Sequence, residues 1–179
     1  MQAICILALL HHIHITIISE SGKLGVFIIA GPNHSGLDSL VATVVDYIWE
    51  TPLGKIEIDS GLAKAIARNS SYLDIDDIPH ESEHSIEVQI PFLHHIFGNS
   101  FKIVPIAMAM QTIEVARDIA SAIARAVEDL GRDVIYIAST DWTHYEPHEI
   151  SVKKDLGALE FVKKLDVDCF YRYIVENNV

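Results

Sequence analysis

The sequence predicts an α/β fold, a mixed sheet flanked by helices, and three observations carry that expectation. From Gly25 onward short apolar runs alternate with segments of helical period, as in a sheet covered by helices. Two of the runs, "VFIIA" and "DVIYIAST", are nearly unbroken, as buried strands are. Half of the 179 residues are hydrophobic and no stretch has a disordered, Pro/Ser-rich composition, so one domain over residues 1–179 with a real core is expected.

Each element has its own reason. "VFIIA" (Val26 to Ala30) reads as a buried strand entering the turn "GPNHSG". "LVATVVDYIWE" reads as one further strand, and "TPLGKIEID" as a turn punctuated by Pro52 and Gly54 that leads into a short strand. Asp59 or Ser60 can cap a helix over "GLAKAIARN". In "EHSIEVQIPFLHHIFG", Ile86, Ile90, Leu93 and Phe97 have helical spacing, Pro91 must interrupt it, and Gly98 closes it. "FKIVPIAM" is a strand. "IEVARDIASAIARAVEDLG" is an amphipathic helix with Val115, Ile119, Ala122, Ile123 and Ala126 on one face. "DVIYIAST" then runs as a strand to Asp141, and two helices follow over "SVKKDLGALEFVKKL" and "DCFYRYIVENN".

The composition excludes some functions. A net charge of -12 opposes binding to a phosphate backbone, so no nucleic-acid partner is expected. Two cysteines, Cys5 and Cys169, without Cys-x-x-Cys spacing write neither a disulfide framework nor a zinc knuckle, and a cytoplasmic location is the default. The opening "MQAICILALLHHIHITIIS" lacks a basic start and breaks on His11, His12 and His14, so neither a signal peptide nor a membrane span is expected.

Ten histidines are the compositional oddity. Ligands gather at the carboxyl ends of strands in α/β sheets, and two histidine sites fall there: His34 after "VFIIA", and His144 with Asp141 after "DVIYIAST". Glycines around His34 permit tight turning and close approach. Asp141 and His144 are three apart, so a helical turn would set both on one face. A third segment, "PHESEHSIE", adds His80, Glu81, Glu83, His84 and Glu87. Each residue alone has an ordinary role, a turn histidine or a helix cap, but imidazoles with carboxylates together suit divalent transition metals. His34, His84, Asp141 and His144 are therefore expected to converge in one cleft.

Five motifs, "GPNHSG", "WETPLGKIEID", "EHSIEVQIPFL", "IVPIAM" and "STDWTHY", stand in an order and spacing that resembles the Memo family, most strongly from Phe27 to about Tyr145. The resemblance implies a fold similar to class III extradiol dioxygenases, non-haem iron enzymes whose cleft holds a metal through histidines and a carboxylate. It implies His34 and His144 as metal-site residues, with His144, Asp141, His84 and Glu87 as candidate catalytic groups. It further implies iron(II), with copper as the alternative, a small molecule or peptide as partner, and a radical-SAM protein encoded nearby.

The family's Pro-His-Ala-Gly-Tyr motif does not precede His34, and its late Cys-Gly motif does not follow, so metal binding is expected to be weak. Residues 1–24 are atypical: a frame shifted by one nucleotide can spell His-Ala-Gly-Tyr there, and a reading-frame artefact is expected. Three functions remain open at this stage: a metal-dependent oxidoreductase with dioxygenase-like chemistry, a non-catalytic peptide- or protein-binding module, and an inactive truncated product.

Overall fold

The structure, a computed structural model, describes residues 5–7, 25–36 and 38–179. The expectations for His11, His12 and His14 fall outside those residues. Backbone contacts gather into two compact units, Met1–Thr140 and Asp141–Val179. No helix among the described residues is long and apolar enough to cross a membrane.

The first unit is built on a mixed sheet of eight described strands: β1 (Cys5–Leu7), β2 (Val26–Pro32), β3 (Val41–Thr43), β4 (Ile48–Thr51), β5 (Gly54–Ile58), β6 (Leu73–Ile75), β7 (Lys102–Met108) and β8 (Val134–Ala138). The path across it is β1-β8-β2-β7-β3-β6. β1, within the stretch expected to be atypical, pairs in parallel with β8. β2 is the centre, parallel to β8 on one side and to β7 on the other. Phe27, Ile28 and Ile29 are fully buried, which is why this run carries no polar alternation.

The outer side of β7 is shared. Its first residues pair in parallel with β5, and Ile106–Met108 pair antiparallel with β3. The stretch "LVATVVDYIWE" is therefore two strands, not the one expected, because the chain must leave β7 after Thr43. Asp46, at φ 60°, makes the bend, and its N–H donates to the Ser60 hydroxyl. β4 then folds back on β5 as a hairpin.

Helix α1 (Ser60–Asn69) is capped by Asp59, whose Oδ1 accepts the Leu62 N–H at 3.0 Å. A 3-10 turn over Glu87–Gln89 runs into α2 (Ile90–Phe97), with Pro91 tolerated in its first turn and Gly98 beyond its end. Helix α3 (Ile113–Leu130) buries Val115, Ile119, Ala122, Ala126 and Val127 on one face, and left-handed Gly131 ends it. In the second unit α4 (His148–Lys163) and α5 (Val167–Asn177) pack on each other through Phe161 and Tyr173.

Candidate metal site

Because β2, β7 and β8 are parallel, their carboxyl ends share one sheet edge. β2 empties there into Asn33–Gly36. The Asn33 N–H donates to the Met108 carbonyl at 3.0 Å, and its Oδ1 accepts from the Ser35 N–H at 3.1 Å, the Ser35 hydroxyl at 2.6 Å and the Gly36 N–H at 3.3 Å. This is an asparagine-led turn, and Gly36 at φ 61° occupies the left-handed region it requires. His34 is thereby held at the tip with its side chain about half exposed.

Glu83 meets it from 49 residues along the chain. The Glu83 carboxylate is buried. Its Oε2 accepts the His34 N–H at 2.5 Å, while Oε1 accepts the Ser85 N–H at 2.8 Å and lies 2.9 Å from His34 Nδ1. Burial pushes the Glu83 carboxyl up, but the Ser85 and His34 donors outweigh it and bring the pKa down to about 2. His84 stacks on His34 with ring centroids 4.9 Å apart and planes 20° from parallel, and its Nδ1 is 3.6 Å from the same Oε1. Donor atoms of His34, Glu83 and His84 all lie within 4.8 Å of one another, so the group could hold a metal ion.

The Glu83 segment is stitched to the strand ends. The Ser85 hydroxyl donates to the Pro32 carbonyl at 2.8 Å, and the Ser139 hydroxyl to the Ser85 carbonyl at 2.7 Å. Gln89 donates to Ser139 Oγ at 3.0 Å, and the Ser139 N–H donates to the Ala30 carbonyl at 2.7 Å. A rigid base of this kind is what a ligand loop needs to keep its geometry.

Of the expected residues, His34 and His84 come together. The carboxylate beside them is Glu83; Glu87 stands exposed at the start of the 3-10 turn. In the second unit His144 Nε2 and Asp141 Oδ2 are 3.4 Å apart. Their three-residue spacing does pair them, but the stretch is not helical, and Tyr145 beside them has φ 58°. The sequence placed Glu83 in the right segment without singling it out. Its glutamate-to-Ser85 contact has no propensity signature, and its bond to His34 is long-range.

Comparison with known proteins places the chain in a family. Residues 12–179 match the family model described as Memo-like protein. A MEMO1 family protein of Methanopyrus kandleri is 48% identical over 150 residues, covering 84% of this chain and 53% of the relative. A MEMO1 family protein of Saccharolobus islandicus is 43% identical over 169 residues, covering 94% of this chain and 59% of the relative. One of Nitrosopumilus maritimus is 43% identical over 152 residues, 85% of this chain and 54% of the relative. The chain thus spans between half and three fifths of the length of these relatives. With the family model matching residues 12–179 and relatives 43–48% identical over most of the chain, the chain belongs to the Memo family.

Proposed function

We propose that this protein binds a divalent transition metal at the strand-end cluster, His34 being the principal ligand and His84 its neighbour. The observation that carries the reading is the convergence of two imidazoles and a buried carboxylate, from two segments 49 residues apart in sequence, at the carboxyl edge of the sheet. The donor chemistry fits: imidazole suits iron(II) and copper alike, and the carboxylate beside the rings adds the negative charge that favours a divalent cation. Iron(II) is the ion we favour, with copper the alternative; when bound it would supply redox chemistry toward oxygen or a small molecule.

The protein's own groups bind and orient. Asn33 and Gly36 fix the backbone on both sides of His34, Ser85 ties the opposing segment to Pro32, and Glu83 keeps a negative charge beside the imidazoles. In the second unit, Asp141 can orient the His144 imidazole for proton transfer. Three or four protein ligands are usual for a retained catalytic metal. Two imidazoles should therefore bind weakly.

Calorimetric titration of metal-stripped protein with iron(II) under anaerobic conditions, and separately with copper(II), tests this. One ion per chain with weak affinity, abolished by His34→Ala and lowered by His84→Ala, is the expected result. Binding that His34→Ala leaves intact, or no binding at all, sinks the proposal.

A further inference from the structure

The chemistry of the cluster would let Glu83 serve as a third ligand, but its hydrogen bonds give it another task. We infer that Glu83 is the positioning residue of the site: it holds His34 as the Nδ1–H tautomer and so leaves Nε2 as the atom that binds the ion. The role of Nε2 rests on the metal reading above; the choice of tautomer does not.

Each carboxylate oxygen already accepts a backbone N–H, His34 on Oε2 and Ser85 on Oε1. Hydrogen bonds from two backbone N–H groups stabilise the ionised carboxylate, which has no hydrogen of its own to donate. Oε1 is therefore an acceptor toward His34 Nδ1 as well, at 2.9 Å, and Nδ1 must carry the hydrogen. A neutral imidazole has one N–H, so the lone pair falls to Nε2. Three of the carboxylate's roughly four acceptor sites are already taken, two of them on Oε1, so Glu83 is engaged as a hydrogen-bond acceptor more than as a ligand. A carboxylate behind a ligand histidine fixes its tautomer and ring orientation and raises its basicity.

The other ring contact agrees. His84 lies nearly parallel to His34 and brings its Nδ1 toward the same Oε1, though only to 3.6 Å. One buried anion therefore faces two imidazoles. It bonds His34 at both side chain and main chain, and His84 at neither, so His34 is the ring it sets.

Long-range proton–nitrogen NMR of metal-free protein, with His34 assigned through the His34→Gln variant, reads the tautomer directly. The expected spectrum has His34 in the Nδ1–H form at pH 7.5. An Nε2–H form there overturns the inference. Glu83→Gln is expected to release that preference and to weaken cobalt(II) binding by roughly 10- to 100-fold, the usual cost of losing an orienting partner. An unchanged tautomer in a folded Glu83→Gln protein, or cobalt binding lost as completely as in His34→Ala, overturns it too, the latter because Glu83 would then be a ligand. Should the variant fail to fold, the wild-type spectrum still decides. Should wild-type protein bind no metal while His34 is fixed as Nδ1–H, the metal reading fails and the positioning role of Glu83 stands.

Discussion

At Gly31 β2 and the Glu83 segment approach closely. A Cβ built there would stand 2.7 Å from Ser85 Oγ, 3.1 Å from Ser85 Cβ and 3.3 Å from Ile86 Cγ1. Rotating the hydroxyl away relieves only the first contact, and it would surrender the bond to the Pro32 carbonyl. Gly31→Ala should therefore destabilise by about 1–3 kcal/mol, the usual cost of overpacking. Urea denaturation measures it, and adding Ser85→Ala should recover part of the loss, a coupling expected between residues in contact. A Gly31→Ala protein as stable as wild type would remove the clamp argument. His34 was legible in the sequence because its reason is local, a turn that raises a ring; Gly31 was expected to admit a ligand, and what approaches it is the Ser85 segment from far along the chain. Glu83 was not legible, because what distinguishes it from Glu81 and Glu87 is a partner on another element.

Among elements, the legible ones were those whose cause lies within one window. Helix α3 shows its face by periodicity, and α1 shows its cap. β6 was missed because it has three residues with only Leu73 buried, too few for any period, and it exists only by pairing with β3. The α1 cap carries a prediction of its own. Asp59 Oδ1 accepts the Leu62 N–H while Oδ2 lies 3.4 Å from Arg132, and the side chain is buried, so one carboxylate ties the helix start to the chain beyond α3. Losing an N-cap to alanine costs about 0.5–2 kcal/mol, and a buried acceptor lost beside an arginine places Asp59→Ala toward the upper end. Asp59→Asn keeps the cap oxygen and should cost less than half as much. Denaturant midpoints for the two variants provide the check, and equal losses would assign the effect to charge instead of capping.

At the scale of the whole molecule, the α/β class was legible because alternation of apolar runs and helical periods is a global pattern, whereas the division into two compact units leaves no mark in composition at Thr140. The net charge of -12 and two histidines, the buried His94 and the half-buried His80, act on stability in opposite directions as pH falls. Protonating exposed histidines reduces the negative charge and its self-repulsion, which favours the fold slightly; about 0.15 M salt screens most of that. These two rings oppose it. His80 donates from Nε2 to the Ala42 carbonyl at 3.2 Å, and its Nδ1 is buried with no hydrogen-bond partner among the described residues. His94 bonds Thr51 through Nδ1, and its Nε2 is buried in the same condition. A second proton on either ring would have no acceptor. Burial accordingly lowers both pKa values, and for His80 the Ala42 carbonyl, Asp76, Glu83 and Asp77 pull upward without reversing it. The unfolded chain protonates these histidines near pH 6.5 and the folded chain only at lower pH, so across that interval the unfolded state holds more protons and stability falls as pH falls. Above about pH 6.5 the two states bind alike and the effect vanishes. The loss of carboxylate contributions comes later: Glu83, held at about 2, loses its contribution only as pH falls from its ordinary value near 4.5 toward that figure. Urea midpoints in about 0.15 M salt should thus drop between pH 7.5 and 5.5 in wild-type protein. In a His80→Gln, His94→Leu double variant the midpoint should change little over the same range. An equal drop in both proteins would place the acid sensitivity on other groups and end the role assigned to these two rings.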